Sequence, residues 1–327
     1  MNRIVIGGTI AIGVLIIGVL VYGYVTEVVL KAREPVATVN GVPIRTDEWQ
    51  ARVLAEAILK NASQQEMVSI AGRVLEQMAQ EELIRQEAAR RGIVVTEEEI
   101  DQAIEQFFGY DREQALSITP PVTATEGSTQ TMVVTEEVFQ ERYQEYIDQV
   151  LAPSGMGVEG FRKAMEGALL YDRLWDLITA DVPTITEQVE IQYIVFQSEE
   201  AATEVADRLD QGEDWESIAQ ELESQEESEA RVVEPLWRPR SFLAEQFDPA
   251  SAEIIFSMEP GEHTRPILGL GGQYYVIQVL SHEERELDPM MLLYEREQAF
   301  QEWMRQQMEG VEYADNWMEK IPSPPTP

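Results

Sequence analysis

Hydrophobic and polar positions repeat with two different periods along this chain, and the change of period divides it. Between about residues 46 and 180, apolar positions recur every three or four residues, which is typical of amphipathic helices. Between about residues 189 and 280, short alternating or continuous apolar runs predict strands with helices between them. The order of these elements predicts an α+β fold with a compact domain of β-α-α-α-β-β order between helical parts.

The first elements are bounded by recognisable turn and capping residues. Residues 36–39 read as a strand that ends at the tight turn Asn40-Gly41. Thr46 is expected to cap a helix that runs to about residue 60. Ser63 is expected to cap a longer helix that reaches residue 91 and ends at Gly92.

The remaining helical region contains one break in its pattern. Thr96 and Glu99 form a capping box at the start of the next helix. Residues 110–133, rich in Thr, Pro and Ser, predict a flexible loop. Helices are then predicted over 135–151 and from 158 to about 180. The buried stripe expected on the last of these comprises Phe161, Met165, Leu169, Leu174 and Leu177.

The second region begins with a strand predicted over residues 189–196. Ser198 caps a helix that Gly212 closes, and a second helix carries Trp215. A short helix over 251–256 and a hairpin of strands 264–268 and 273–280 follow. The chain returns to helix over about 289–308, has a short and extended segment near 311–317, and ends in a tail that we expect to be disordered.

Residues 4–26 contain no charge and are long enough to cross a hydrocarbon core of about 30 Å. The alternative is a cleaved signal peptide, whose apolar region is normally shorter and is followed by a small-residue cleavage site. We therefore predict a single uncleaved membrane anchor within residues 1–32. The flanking Arg3, Lys31 and Arg33 do not fix its orientation.

Composition narrows the functional classes. The chain has 60 acidic and 24 basic residues, a formal charge of −36 and no cysteine. A disulfide framework, a thiolate metal site and a cysteine nucleophile are therefore excluded. A nucleic-acid partner is not expected, because phosphate contacts need clustered Lys and Arg. With 44% hydrophobic residues, the chain can form a core.

Several motifs resemble a known family. The segment from 188 to 281 carries EIQYIVF, EEAATEVADRLDQGEDWESIAQEL, EARVVEPLWRPR, FLAEQFDPASAEIIFSMEPGE and GGQYYVIQVL. It resembles the parvulin class of peptidyl-prolyl isomerases. VATVNGVPIRTDEW and the long helices resemble the SurA/PrsA/PpiD group of exported folding factors. The resemblance implies a helical chaperone module over 33–183, a parvulin-like domain over 184–285, a C-terminal helix over 286–320 that packs back on the helical module, and a tail over 321–327.

The resemblance also assigns site positions, and the polar ones are substituted. Parvulins carry histidines where this chain has Tyr193 and Tyr275, and an Asp or Cys where it has Gln225. The apolar substrate-binding positions are better kept. Leu243 and Phe247 stand at the wall of the proline pocket, Leu236 lies in the run that replaces Gly-Gly-Asp-Leu-Gly, and Leu270 replaces a common Thr.

Isomerising an X-Pro bond means crossing a barrier of about 18–20 kcal/mol by twisting the amide, with no bond broken. In parvulins, two histidines and an Asp or Cys provide the polar groups that favour the twisted amide electrostatically. In this chain, two phenols and an amide stand at those positions. The resemblance therefore predicts an extracytoplasmic, membrane-tethered folding factor with weak or no isomerase activity, no cofactor, and unfolded or proline-containing segments of exported proteins as partners. The alternatives are an isomerase that uses the tyrosines as donors and a structural partner of an export machine.

Other residues have an ordinary and a functional interpretation. The two tyrosines can simply pack a core. His263 and His282 favour surface roles over a metal or acid–base pair. The acidic run 213–229, with the pair Glu226 and Glu227, favours a solvated loop over a cation site or a hydrolase dyad. Methionines fit either an adaptable client groove or a core; they are Met67, Met78, Met132, Met156, Met165, Met290, Met291, Met304 and Met308.

Overall fold

A computed structural model describes residues 34–112, 134–225 and 230–325. The predicted anchor, most of the predicted loop at 110–133, and Glu226 and Glu227 lie outside these residues. Among the described residues, no helix is long and apolar enough to span a bilayer. The chain divides into two compact units: Met1–Ile178 together with Glu302–Pro327, and Thr179–Gln301.

The first unit combines a small sheet with a set of long helices. Its elements before the second unit are β1 (Pro35–Val39), β2 (Val42–Arg45), α1 (Thr46–Lys60), α2 (Met67–Arg91), α3 (Glu97–Phe107), α4 (Glu136–Tyr146) and α5 (Gly157–Ile178). A π-helical turn, Ile147–Leu151, and a short turn of helix, Ala152–Ser154, extend α4.

The sheet of the first unit takes one strand from the far end of the chain. β1 lies in the middle of a three-stranded antiparallel sheet, between β2 and a strand from the C-terminal region, Val311–Tyr313. The β1–β2 turn places Asn40 and Gly41 at φ of 50° and 83°, as expected for an Asn-Gly hairpin turn. After the C-terminal strand, a 3₁₀ turn at Trp317–Lys320 completes the unit.

Trp49 is the fully buried centre of this unit. Its Nε1 donates to the carbonyl oxygen of Ala71 at 3.1 Å, so the burial leaves no unpaired donor. Its ring meets Trp317 edge to face, with centroids 6.1 Å apart. The packing of Trp49 therefore joins α1, α2 and the C-terminal segment.

Three sequence predictions for the first unit need correction. Arg45, not Thr46, occupies the N-cap of α1, because the Thr46 hydroxyl instead donates to the Glu34 carbonyl at 2.8 Å. α2 begins at Met67 rather than after Ser63, which forms a turn with Glu66. Leu177 is exposed, and the buried stripe of α5 includes Gly167 and Leu170 in its place. The capping box of Thr96 and Glu99 is confirmed.

The second unit is built on a four-stranded antiparallel sheet in the order β4-β3-β6-β5. Its elements are β3 (Ile185–Phe196), α6 (Glu199–Asp210), α7 (Trp215–Ser224), β4 (Arg231–Pro239), α8 (Arg240–Gln246), α9 (Pro249–Ser257), β5 (Ile267–Leu268) and β6 (Tyr274–Glu286). Side chains of α6 and α7 pack against one face of the sheet, and those of α8 and α9 pack against the other.

The helix α10 (Pro289–Met308) begins in the second unit and ends in the first, and the strand β7 (Val311–Tyr313) follows it. Tyr294 of α10 lies edge-on to Phe242 of α8, with ring centroids 5.4 Å apart. The first part of this helix thus packs within the second unit, whereas the prediction assigns the whole segment 286–320 to the helical module; residues from Glu302 onward do belong to that module's unit. The described part of the tail, residues 321–325, has no regular secondary structure.

The order of elements in the second unit is β-α-α-β-α-α-β-β, so the predicted β-α-α-α-β-β order lacks the strand β4 and the helix α8. β4 contains Pro235 and Pro239, and proline within a strand pattern argues against a central strand. β4 lies at the edge of the sheet, where a missing N–H is tolerated. The predicted hairpin is present, but β5 is shorter than expected and β6 is longer.

Candidate functional site

Tyr193 and Tyr275 lie on the two central strands and on the same face of the sheet. Tyr193 of β3 stands opposite Ile277 of β6, so Tyr275 is its diagonal cross-strand neighbour. The ring centroids are 5.7 Å apart and tilted by 51°. Diagonal neighbours on one sheet face are within reach of aromatic side chains, which explains this contact. The structure therefore brings together the two positions that the sequence proposed.

Leu243 and Phe247 lie on the same side of the sheet as the two tyrosines. Proline at 239 ends β4 and α8 follows at once, which carries Leu243 and Phe247 over the sheet. The Phe247 ring contacts Tyr275 edge to face, with centroids 5.0 Å apart and an interplanar angle of 83°. Leu243 is 0% exposed, Phe247 2% and Tyr275 8%. The apolar wall is present, but side chains of the protein itself cover it.

The remaining proposed positions lie differently. Gln225 follows the end of α7, is exposed, and donates a hydrogen bond to Glu221 of that helix at 3.3 Å. Leu236 of β4 is half-buried and packs against the apolar cluster under the sheet. Leu270 is 75% exposed in the β5–β6 turn. The hydrogen bonds of Gln225 thus do not link it to the tyrosine pair, and Leu270 does not belong to the buried wall.

Gly269 is a further residue of this site that the sequence did not single out. A Cβ at Gly269 would lie 2.6 Å from Cε2 of Tyr275 and 3.4 Å from Cζ. The backbone of the hairpin turn therefore lies directly against the phenol ring. In a sequence, a glycine-rich turn next to a strand can indicate that the backbone closely approaches a neighbouring group at that point.

We predict that Gly269→Ala destabilises the second unit by about 1–3 kcal/mol, because the added methyl group overpacks the Tyr275 ring. Gly271→Ala is the matched control: its Cβ would meet nothing within 4 Å, and its φ is not positive. Urea unfolding of the full chain, followed by hydrogen exchange in β6, measures the difference. Equal effects of the two substitutions would contradict the close packing of Gly269 on Tyr275.

The chemistry that this site offers is limited. A phenol can donate a hydrogen bond to a carbonyl or amide group, and neither tyrosine hydroxyl bonds to any described residue. The site carries no histidine: His263 lies 3.1 Å from Asp210 Oδ1, and His282 Nε2 lies 2.8 Å from the Met258 carbonyl oxygen. Each histidine thus contacts a residue at the end of a helix of the same unit, Asp210 of α6 or Met258 after α9.

The helical unit contains a second aromatic assembly. Phe108 contacts Phe107, Phe139, Tyr143 and Tyr146 within 6.1 Å between centroids. The pKa values of Tyr143 and Tyr146 are raised above the usual value for tyrosine, mainly because the side chains are partly buried. Phe107 at the margin is 54% exposed.

Two family models match this chain. Residues 2–121 match the SurA-like N-terminal domain, and residues 185–289 match the PPIC-type PPIASE domain. The foldase protein PrsA of Halalkalibacterium halodurans is 27% identical over 218 residues, which cover 65% of this chain and 60% of that protein. The foldase protein PrsA of Clostridium tetani is 22% identical over 271 residues, which cover 77% of this chain and 74% of that protein.

The chain thus spans less than two thirds of the length of the first of these relatives. Among solved structures, the peptidylprolyl isomerase PrsA from Bacillus anthracis is 13% identical and aligns with 72% of this chain and 95% of its own. The TM-score between the two structures is 0.37.

Proposed function

We propose that this chain, a member of the SurA/PrsA group of parvulin-type proteins, is a foldase that holds unfolded segments of exported proteins. In this proposal the helical unit is the main client-binding part. The parvulin-like unit serves mainly as a second binding surface, and its isomerase activity is weak or absent. The foldase names of the PrsA relatives support the first part of the proposal.

One observation carries the second part. The residues that would hold a prolyl ring, Leu243 and Phe247, are almost completely buried, and the Tyr275 ring lies edge to face against Phe247. An isomerase must hold the proline and favour the twisted amide over the planar one. A substrate would first have to displace Tyr275, and it would then find two phenols where charged or imidazole groups tune the electrostatics in related enzymes. Binding without efficient catalysis follows.

We also propose that the chain is tethered to the membrane by residues within 1–32, with the remaining units outside the cytoplasm. The support is the uncharged run 4–26 together with the family resemblance. Protease treatment of intact cells is the test, and we expect the second unit to be digested. Protection of that unit in intact cells, with digestion after lysis, would reverse the proposed orientation.

The proposed function predicts two activities of the full chain in lipid nanodiscs. It should suppress aggregation of an unfolded client at stoichiometric ratios. It should raise the cis/trans rate of a short proline peptide little above the uncatalysed rate, since loss of oriented polar groups typically lowers catalysis by about 10²–10³-fold. A rate typical of efficient isomerases, with no suppression of aggregation, would overturn the proposal.

The second candidate function is an isomerase that works with the tyrosines. The free hydroxyls of Tyr193 and Tyr275 favour it, because both can donate to a prolyl carbonyl. Under this alternative, Tyr193→Phe and Tyr275→Phe would each abolish catalysis and leave the fold intact. Under the favoured function, both variants should keep the low isomerase rate and the full chaperone activity of the parent chain.

A further inference from the structure

We infer that the helical unit contains a peptide subsite: a cavity of about 360 Å³ that takes one apolar side chain of an extended client segment. This inference rests on the proposed function and gives it a location. Four segments of the first unit form the walls: β2, α1, α2 and the chain from Gly155 to Lys163. The volume lies within the range of about 300–1,000 Å³ that is typical of ligand pockets.

The inner wall of the cavity is apolar and adaptable. Ile44 and Ala51 contribute buried surface, and Met78 and Met156 contribute half-buried thioether side chains. Methionine side chains are unbranched and repack around ligands of different shape. Met156 lies against Gly160, where an added Cβ would come within 2.9 Å of the Met156 Cγ. Glycine at this position therefore leaves room for Met156 at the cavity wall.

The charged residues of the cavity are mostly paired with one another. Arg52 forms a two-pronged ion pair with Glu81. Lys163 lies 3.6 Å from the Glu48 carboxylate. Asp47 forms an ion pair with Arg45, which is not itself a residue of the cavity lining. These pairs neutralise part of the charge of the lining, and carboxylates remain in excess over cationic side chains.

One side chain at the cavity, Arg85, has buried hydrogen-bond donors that are not satisfied. Arg85 donates through Nη1 to Glu82 at 2.8 Å, but its Nε and Nη2 are buried without a hydrogen-bond partner among the described residues. A Glu166 oxygen lies 4.0 Å from that Nε. Buried donors without a partner are unfavourable, and an incoming acceptor relieves them. Glu159 also lines the cavity; it is exposed and has neither an ion pair nor a hydrogen bond with a residue in the described part of the chain.

An extended polypeptide matches this set of groups. A backbone carbonyl would accept from Arg85, an apolar side chain would enter between the two methionines, and a neighbouring basic side chain would face Glu159. Charge supports the same occupant: three cationic side chains, Arg52, Arg85 and Lys163, line the cavity with five carboxylates. The resulting negative rim disfavours acidic peptides and favours neutral or basic ones.

The probe is a fluorescein-labelled acetyl-Gly-Ser-Gly-Lys-Leu-Gly-Ser-Gly amide, titrated into the full chain in nanodiscs and followed by anisotropy. Met156→Trp should fill the cavity and weaken binding at least about tenfold. Arg85→Gln should weaken it about tenfold or more, because a hydrogen bond to a charged donor is lost. Replacing the peptide leucine by aspartate should abolish binding.

The controls separate a local effect from a folding defect. Arg142→Gln removes an arginine of the same unit that does not line the cavity, and it should bind the peptide as the parent does. Glu159→Gln changes an exposed residue and should weaken binding of the lysine peptide, but not of a peptide with alanine in place of lysine.

Unchanged affinity in Met156→Trp, Arg85→Gln and Glu159→Gln would overturn the subsite, and so would no binding of the leucine peptide by the parent chain. If the parent still suppressed client aggregation in that case, the proposed foldase function would stand without this subsite. Loss of both activities in the parent would overturn the proposed function as well.

Discussion

Trp49→Ala is expected to destabilise the first unit by about 3–5 kcal/mol, the usual range for removing a buried tryptophan. The side chain is fully buried, donates to the Ala71 carbonyl, and packs edge to face on Trp317. The substitution therefore removes the packing that joins three segments. Hydrogen exchange of the full chain is the measurement, and amides of α1 and α2 should lose protection.

Two further variants define this effect. Leu59→Ala lies on the same helix at a position that is 58% exposed, and it should change the stability by no more than about 0.5 kcal/mol. Trp49→Phe keeps most of the packing and loses the hydrogen bond, which should cost about 1 kcal/mol. Similar losses of protection in Leu59→Ala and Trp49→Ala would contradict the central role of Trp49.

Phe247→Ala should have a comparable effect on the second unit, about 3–5 kcal/mol, because the ring is buried against Tyr275. If Phe247 instead lined an open proline pocket, Phe247→Ala would change the stability little and weaken substrate binding strongly, because a ring at an empty groove has few packing partners. Exchange protection of β3 and β6 distinguishes the two cases.

Leu270→Ala is the matched control for the Phe247 variant, because the resemblance assigned Leu270 to the same pocket. Leu270 is 75% exposed, and its replacement should leave stability within about 0.5 kcal/mol of the parent. A stable, well-protected Phe247→Ala protein that no longer binds proline peptides would contradict the filled pocket and support the isomerase alternative.

Much of the fold could be predicted because local chemistry determines where helices begin and end. The capping box of Thr96 and Glu99 and the left-handed glycine at 92 are contained within a few residues, and both are present. Thr46 shows where this reasoning fails. Its hydroxyl has a tertiary partner, the Glu34 carbonyl twelve residues earlier, and no local pattern reveals that competition.

β4 was missed for a related reason. Pro235 weakens any strand pattern, and only the sheet order shows that this strand lies at an edge. The position of a strand within a sheet depends on contacts between residues that are far apart in the sequence, and such contacts cannot be derived from a single sequence.

For the site, the resemblance to parvulins singled out Tyr193 and Tyr275, and the strand register places the two side chains on one face of the sheet. The burial of Leu243 and Phe247 could not be predicted in this way. It depends on the tertiary packing of α8 against the sheet and on the absence of a side chain at Gly269, which lets the turn approach the Tyr275 ring.

The three-stranded sheet of the first unit has a consequence for how the chain is made. β1 begins at Pro35, but its partner β7 begins at Val311, so the sheet is assembled from the two ends of the polypeptide. A ribosome or a translocation channel releases the chain from the N-terminus onward. The second unit is continuous in sequence and can close first. Until β7 has been synthesised, β1 has one unpaired edge and Trp49 cannot pack against Trp317. The first unit therefore cannot complete its fold before the C-terminal segment is available.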